Sequence, residues 1–313
     1  MTRTVLALFL ISLVVACSDS PSTATQTSPP DRVQIEATLA SAPPTAQAAA
    51  ASPDLEPALP RADLFDLARR YRGLDLPSQV ITQPPVASAG AVRSFFVVDL
   101  EANRAQEVRA TLLAQTEHAD IWVQDGQRFG RADAQRSGEI FETEVYPQVT
   151  RAFGLPAVAP DGSAGRIAIL HTSLRGAGGY FAGSDQFPRT LVPFSNEQQI
   201  LYLDSSIARP GDRAYAGLLA HEFQHLVHQQ HNPNADTWIN EGLSEVADEM
   251  LGGSNSFLRR FETLPDTQLD DWPAEGNSAA HYGAAHSFLR YLLRRYGGLE
   301  GAQRLVRGRR LVA

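Results

Sequence analysis

The chain contains no lysine: all 27 basic residues are arginine, set against 35 Asp and Glu, for a net charge of −8. That acidic balance argues against a nucleic-acid partner, whose phosphates call for a basic surface. Cysteine is nearly absent as well. Cys17 is the sole one, so no intramolecular disulfide can staple the fold. Apart from residues 5–15 there is no hydrophobic run that approaches membrane-spanning length, and there is no internal repeat of the kind that builds a solenoid. Large apolar residues are scarce over 18–60. That stretch of Ser, Thr, Pro and Ala cannot bury enough surface to fold and reads as a flexible tether. The rest is long enough for one domain, or for a small domain followed by a catalytic one.

What is present is concentrated in one stretch, Ala220-His221-Glu222-Phe223-Gln224-His225-Leu226-Val227, an H-E-x-x-H sequence. Residues four apart share a helix face, so His221 and His225 can offer two imidazole nitrogens to one metal ion. Glu222 then stands beside them as a carboxylate base. Leu218, Leu219, Leu226 and Val227 make the flanks apolar, and neither Gly nor Pro interrupts 218–231, so a buried helix is expected. Zinc held by two His needs a third protein ligand, with the fourth position left open. Thr237-Trp238-Ile239-Asn240-Glu241-Gly242-Leu243-Ser244-Glu245 supplies Glu241 on a second apolar helix.

H-E-x-x-H followed by this W-I-N-E-G segment resembles the Glu-zincins, the metallopeptidases that include thermolysin and the zinc aminopeptidases. Among them the pattern is most similar to the hyicolysin-like bacterial neutral metallopeptidases. The resemblance implies Glu241 as the third zinc ligand and Glu245 as the acid that orients the first His ligand. The spacer between His225 and Glu241, residues 226–240, is shorter than in thermolysin or the aminopeptidases. A rival third ligand is His231, ten residues after His221, at the metzincin spacing. Metzincins need Gly where His228 stands, because the chain must leave its helix there with a positive φ, and they need a Met-turn. Met250, the only Met after the initiator, lies in a polar helical segment. His228 and His231 otherwise read as a solvated helix end, where imidazolium suits the dipole.

The N-terminus reads as targeting. Arg3 precedes the apolar run, which ends Leu13-Val14-Val15-Ala16-Cys17 and resembles a bacterial lipoprotein box. By that resemblance residues 1–16 are a signal peptide, Cys17 is the lipid-attachment residue, and 17–60 tethers a domain in the cell envelope. Ser18 stands where a retention signal would place Asp, which favours an outer membrane or cell surface.

Residues 62–72 read as a short amphipathic helix. Alternation and β-branched content predict strands over 94–98, 107–113 and 119–123, a small antiparallel β region within 61–130 that is either a separate module or a lobe packed on the rest. A helix is expected over 132–153, stopped at Gly154-Leu155-Pro156, then strands over 166–171 and 200–204. The glycine-flanked 178–183 reads either as an edge strand open to an extended substrate or as a turn. A last apolar-faced helix begins near His281. The expected class is α+β. The resemblance makes 131–313 a zincin-like domain, with a twisted mixed sheet over the H-E-x-x-H helix and a helical lower lobe.

The function this implies is zinc-dependent hydrolysis of a peptide or protein by an endopeptidase, with Glu222 taking the proton of the attacking water. No G-x-M-E-N motif of the aminopeptidases is present. In those relatives a Tyr that steadies the oxyanion opens a helix and is followed nine residues later by Tyr-Leu. Tyr282 precedes Tyr291-Leu292 by that spacing, with Gly283 beside it, although the relatives' Glu-Lys is missing. His281 and His286 are the alternatives. Other readings left open are a metzincin-type protease, a zinc aminopeptidase and a non-catalytic zinc-binding surface lipoprotein.

Overall fold

Two consecutive hairpins open the sheet. Val92–Asp99 (β1) pairs antiparallel with Arg104–Gln115 (β2), which pairs antiparallel with Ala119–Gln124 (β3). Asn103 makes the first turn at φ 46°, a left-handed conformation that Asn tolerates. A register shift between Leu112 and Ala114 marks a bulge that sharpens the strand's twist. In this computed structural model, residues 63–76, 86–158, 165–207, 209–254, 256–273 and 277–308 are described. The expected signal segment, Cys17 and the 17–60 tether lie outside them.

The boundary expected near residue 130 is not a break in the fold. β3 pairs in parallel with Ile167–Thr172 (β4), which pairs in parallel with Ile200–Asp204 (β6), and Gly179–Phe181 (β5) closes the far edge antiparallel to β6. The six strands form one mixed sheet in the order β1-β2-β3-β4-β6-β5. The hairpins are therefore its first half rather than a separate module. A parallel step needs a crossover, and the helical stretch from Arg131 to Phe153 provides it. That stretch is not one continuous α-helix as expected. Arg131–Ile140 (α2) and Tyr146–Phe153 (α3) are joined by a π-helical turn, Phe141–Val145. Pro147 lies in the first turn of α3, and its missing N–H and bulky ring disturb the preceding carbonyls.

The sheet is curled. On the outer side of β1, Phe96 N–H donates to Asn196 Oδ1 (2.9 Å), Val98 N–H to Tyr180 Oη (3.0 Å) and Leu100 N–H to the Arg175 carbonyl (3.2 Å). The segment around β5 thus satisfies an edge that would otherwise be open to aggregation. Leu112, Trp122, Leu170 and Tyr202 fill the concave face. Ile121, Ile169, Leu201 and Leu203 fill the other face, against helices.

Besides α2 and α3, the helices that contribute to this core are Arg213–His231 (α4), Thr237–Met250 (α5), Ala279–Tyr296 (α7) and Gly298–Val306 (α8), while Leu64–Arg72 (α1) and Ser256–Thr263 (α6) lie outside it. Tyr215, Leu219, Phe223, Leu226 and Val227 turn one side of α4 into the core. α5 packs on α4 and on α7, and α6 packs on α7. The last contact needs Gly283: a Cβ there would stand 2.2 Å from the Phe257 carbonyl oxygen. Among the described residues no helix is long and apolar enough to cross a membrane. The architecture is mixed, compatible with the α+β class.

Candidate metal centre

α4 and α5 lie side by side, so the inward face of each presents its polar residues to the other. On α4 that face carries His221 and His225, one turn apart. On α5 it carries Glu241, Ser244 and Glu245, at the i, i+3, i+4 spacing of neighbours on a helix surface. Nε2 of His221 and Nε2 of His225 are 3.0 Å apart. Glu241 Oε2 is 3.3 Å from the latter and 3.8 Å from the former. All three residues are buried, and their donor atoms fall within 4.8 Å of one another.

The far side of each ring decides what those atoms are. His221 Nδ1 lies 3.2 Å from Glu245 Oε1, an acceptor, so the proton of that ring sits on Nδ1. His225 Nδ1 lies 3.0 Å from Ser244 Oγ, whose own hydrogen goes to Gln224 Oε1 at 2.5 Å. The hydroxyl is therefore left to accept from the imidazole. Both Nε2 atoms then carry lone pairs, they face each other, and the Glu241 oxygen beside them has no hydrogen-bond donor. Three lone pairs converging in a buried place call for a cation, and a metal ion fits. The electrostatics say the same. Burial lowers the His221 pKa to about 3. Burial also opposes charge on His225, yet the Glu241 carboxylate outweighs it and raises that pKa to about 9. A positive charge is wanted there, whether a proton or a metal supplies it.

Glu222 is wholly buried, and neither carboxylate oxygen has a hydrogen-bond partner. Burial pushes its pKa up to about 8, the direction that suits a proton acceptor near neutral pH. β5 passes directly over it: a Cβ on Gly179 would come within 3.0 Å of Glu222 Oε1 and of the Tyr202 carbonyl. Only glycine lets the strand approach this closely. Tyr282, at the start of α7, is buried with its ring against Phe257 and Trp272, and its phenol is close enough to the Glu241 carboxylate to feel its charge. Burial, then the carboxylates of Glu241, Glu245 and Glu222, raise its pKa well above the ordinary phenol value, so it stays protonated.

The rival residues are placed elsewhere. His231 is exposed at the end of an unbroken α4, its Nε2 2.9 Å from the Leu155 carbonyl oxygen, and it is not among the converging donors. His228 is not solvated as expected. It is fully buried on the face of α4 that carries His225, and burial lowers its pKa to about 3. His286 is engaged by Glu249 (3.0 Å), and His281 lies against Trp272. The sequence reading missed Ser244 and Gly179. Ser244 had a detectable signal, since it stands three residues after Glu241 on the same face. A second group, Glu117, His118 and Glu142, gathers donor atoms near the surface, where His118 Nδ1 is already bonded to Glu142 at 2.6 Å.

Replacing Glu245 with Ala is expected to weaken metal binding by roughly 10–100-fold, the usual cost of losing a residue that orients a ligand. Competition with a chromophoric chelator measures this, and an unchanged affinity would show that Glu245 does not orient His221. No family model matches the chain, and no curated protein matches it.

Proposed function

We propose that the chain is a zinc metalloendopeptidase of the Glu-zincin type, with zinc held by His221, His225 and Glu241. The observation that carries this reading is the pairing of a buried three-donor cluster with an unbonded buried carboxylate, Glu222, next to it in sequence. Around a tetrahedral zinc with bonds of about 2.0–2.1 Å, neighbouring donors stand roughly 3.3 Å apart. The separations of 3.0, 3.3 and 3.8 Å bracket that value. When bound, zinc supplies Lewis acidity toward water and the scissile carbonyl.

The protein's own groups do the rest. Glu222 accepts the proton of the attacking water and returns it to the leaving amine. Tyr282 donates its O–H toward the oxygen charge that develops on the carbonyl. The edge strand positions the substrate. Gly178 O accepts from Asp204 N–H (2.8 Å), and the antiparallel alternation leaves the backbone groups of Gly179 and Phe181 facing the free edge. An extended peptide can pair there, beside Glu222. The sequence adds the setting: a lipid anchor at Cys17 and a tether that would hold the domain at the cell envelope.

The test is cleavage of an unstructured protein by the purified chain. Internal fragments that vanish with a chelator support the reading; cleavage that ignores the chelator contradicts it. Tyr282→Phe is expected to lower kcat by roughly 10²–10³-fold, the cost of one oxyanion donor. Zinc content and KM should change little. An unchanged kcat there, with a large fall in His281→Ala or His286→Ala, would transfer the role to that histidine.

A further inference from the structure

Away from the metal centre, between α6 and α7, lies a shallow, open groove lined by Leu258, Ser287, Arg290, Tyr291, Arg294 and Arg295. No carboxylate lines it, in a chain whose net charge is −8. The polar groups along its wall are three guanidinium forks and two hydroxyls. Ser287, Arg290, Tyr291, Arg294 and Arg295 come together because they are spaced along one side of α7.

The arginines are not there to make ion pairs with one another's neighbours. Among the described residues no carboxylate pairs with Arg294 or Arg295; Arg295 only lies over the Tyr296 ring at 5.7 Å. Arg290 is held in place by a donor bond to Glu249 Oε1 (2.9 Å), while the other oxygen of that carboxylate takes His286 Nε2 (3.0 Å). Glu249 is thereby fully engaged and fixes the Arg290 fork, whose buried Nε still has no acceptor. Three clustered guanidinium groups with one shared carboxylate leave positive charge uncompensated and donors free to take an anion.

We propose that this groove binds a phosphate group, as a phosphate monoester whose organic part rests on Leu258 and the Tyr291 ring. A carboxylate presents two oxygens and satisfies one fork. A phosphate presents more oxygens and a charge of about −1.5 to −2 when singly esterified, and so can engage several forks at once. A soluble phosphate monoester and the headgroup of phosphatidic acid, which is also a monoester, share this chemistry. The second source suits a domain tethered near a membrane.

The test uses the chain from residue 17 onward carrying Cys17→Ser, so that no acyl group supplies membrane binding. Glycerol 3-phosphate is titrated calorimetrically in one arm. In the other, the protein is sedimented with phosphatidylcholine vesicles containing phosphatidic acid, and with phosphatidylcholine vesicles alone for comparison. Arg294→Ala/Arg295→Ala is expected to weaken binding by about tenfold or more, since each lost charge-assisted bond matters. Arg104→Ala/Arg213→Ala, which removes the same charge from exposed positions elsewhere, should not. Binding of glycerol 3-phosphate with that dependence supports a soluble ligand. Binding confined to the vesicles that contain phosphatidic acid, with that dependence, supports the headgroup. No binding in either arm, or equal losses in the two double variants, overturns the proposal. Arg294 and Arg295 are exposed, so unfolding curves of the variants should overlay the parent's.

Discussion

Glu222→Gln is expected to leave the chain folded and loaded with zinc while lowering peptide hydrolysis by roughly 10²–10⁴-fold, the usual worth of a positioned general base. The substitution keeps the shape of the side chain and removes only its basicity. Glu222 is not one of the three converging donors, so the metal has no reason to leave. Nor does the fold depend on it through hydrogen bonds, because both oxygens lack partners. Replacing a buried carboxylate whose pKa is raised to about 8 by an uncharged amide removes a desolvation cost. Stability should hold or rise. Zinc content by emission spectroscopy, read beside the rate, separates the possibilities. Loss of zinc together with activity would make Glu222 a ligand and not the base.

Glu241→Ala should weaken zinc binding by well over the roughly 10–100-fold typical of orienting residues, because it removes a direct ligand. It also strips the carboxylate that favours positive charge on His225. His231→Ala should leave affinity nearly unchanged, since that ring is exposed and bonded to the Leu155 carbonyl. The two variants form a sharp pair: both residues follow the same motif, one through a second helix and one through the end of the first. Were His231→Ala to lose the metal and Glu241→Ala to keep it, the metzincin-type reading would replace this one.

How much of this could be read from residues alone differs by element. The approach of His221 to His225 follows from helical periodicity, a local property, and α4 forms over the uninterrupted stretch that carries them. Glu241 needed more. Its helix was legible, but its arrival at Oε2–Nε2 distances of 3.3 and 3.8 Å depends on how α5 packs on α4. Zinc's need for a third ligand made Glu241 a candidate, and the resemblance chose it over His231. The hairpin strands were legible by alternation, whereas their membership of one sheet was not. The parallel pairing of β3 with β4 joins residues more than forty positions apart, such as Ala119 and Ile167, and no local pattern encodes it. The π-helical turn at Phe141–Val145 was hidden because its apolar spacing still reads as helical. His228 was misplaced for the opposite reason. A polar residue near a helix end is usually solvated, but His228 lies on the side of α4 that is packed against the rest of the protein, while His231 at the end of the same helix is exposed. The sequence left 178–183 open between an edge strand and a turn; it forms the edge strand β5, and the close approach of Gly179 to Glu222 emerges only from the packing of that strand over α4.

The central claim, that His221, His225 and Glu241 form the zinc site of a peptidase, is tested most directly by stripping the purified chain of metal and titrating zinc back while following cleavage of an unstructured protein. The account predicts no cleavage without metal, then a rise that breaks at about one zinc per chain, as a closed set of three protein ligands implies. The same titration with His221→Ala should give no rise. Cleavage that survives removal of the metal, or returns equally in His221→Ala, would contradict it.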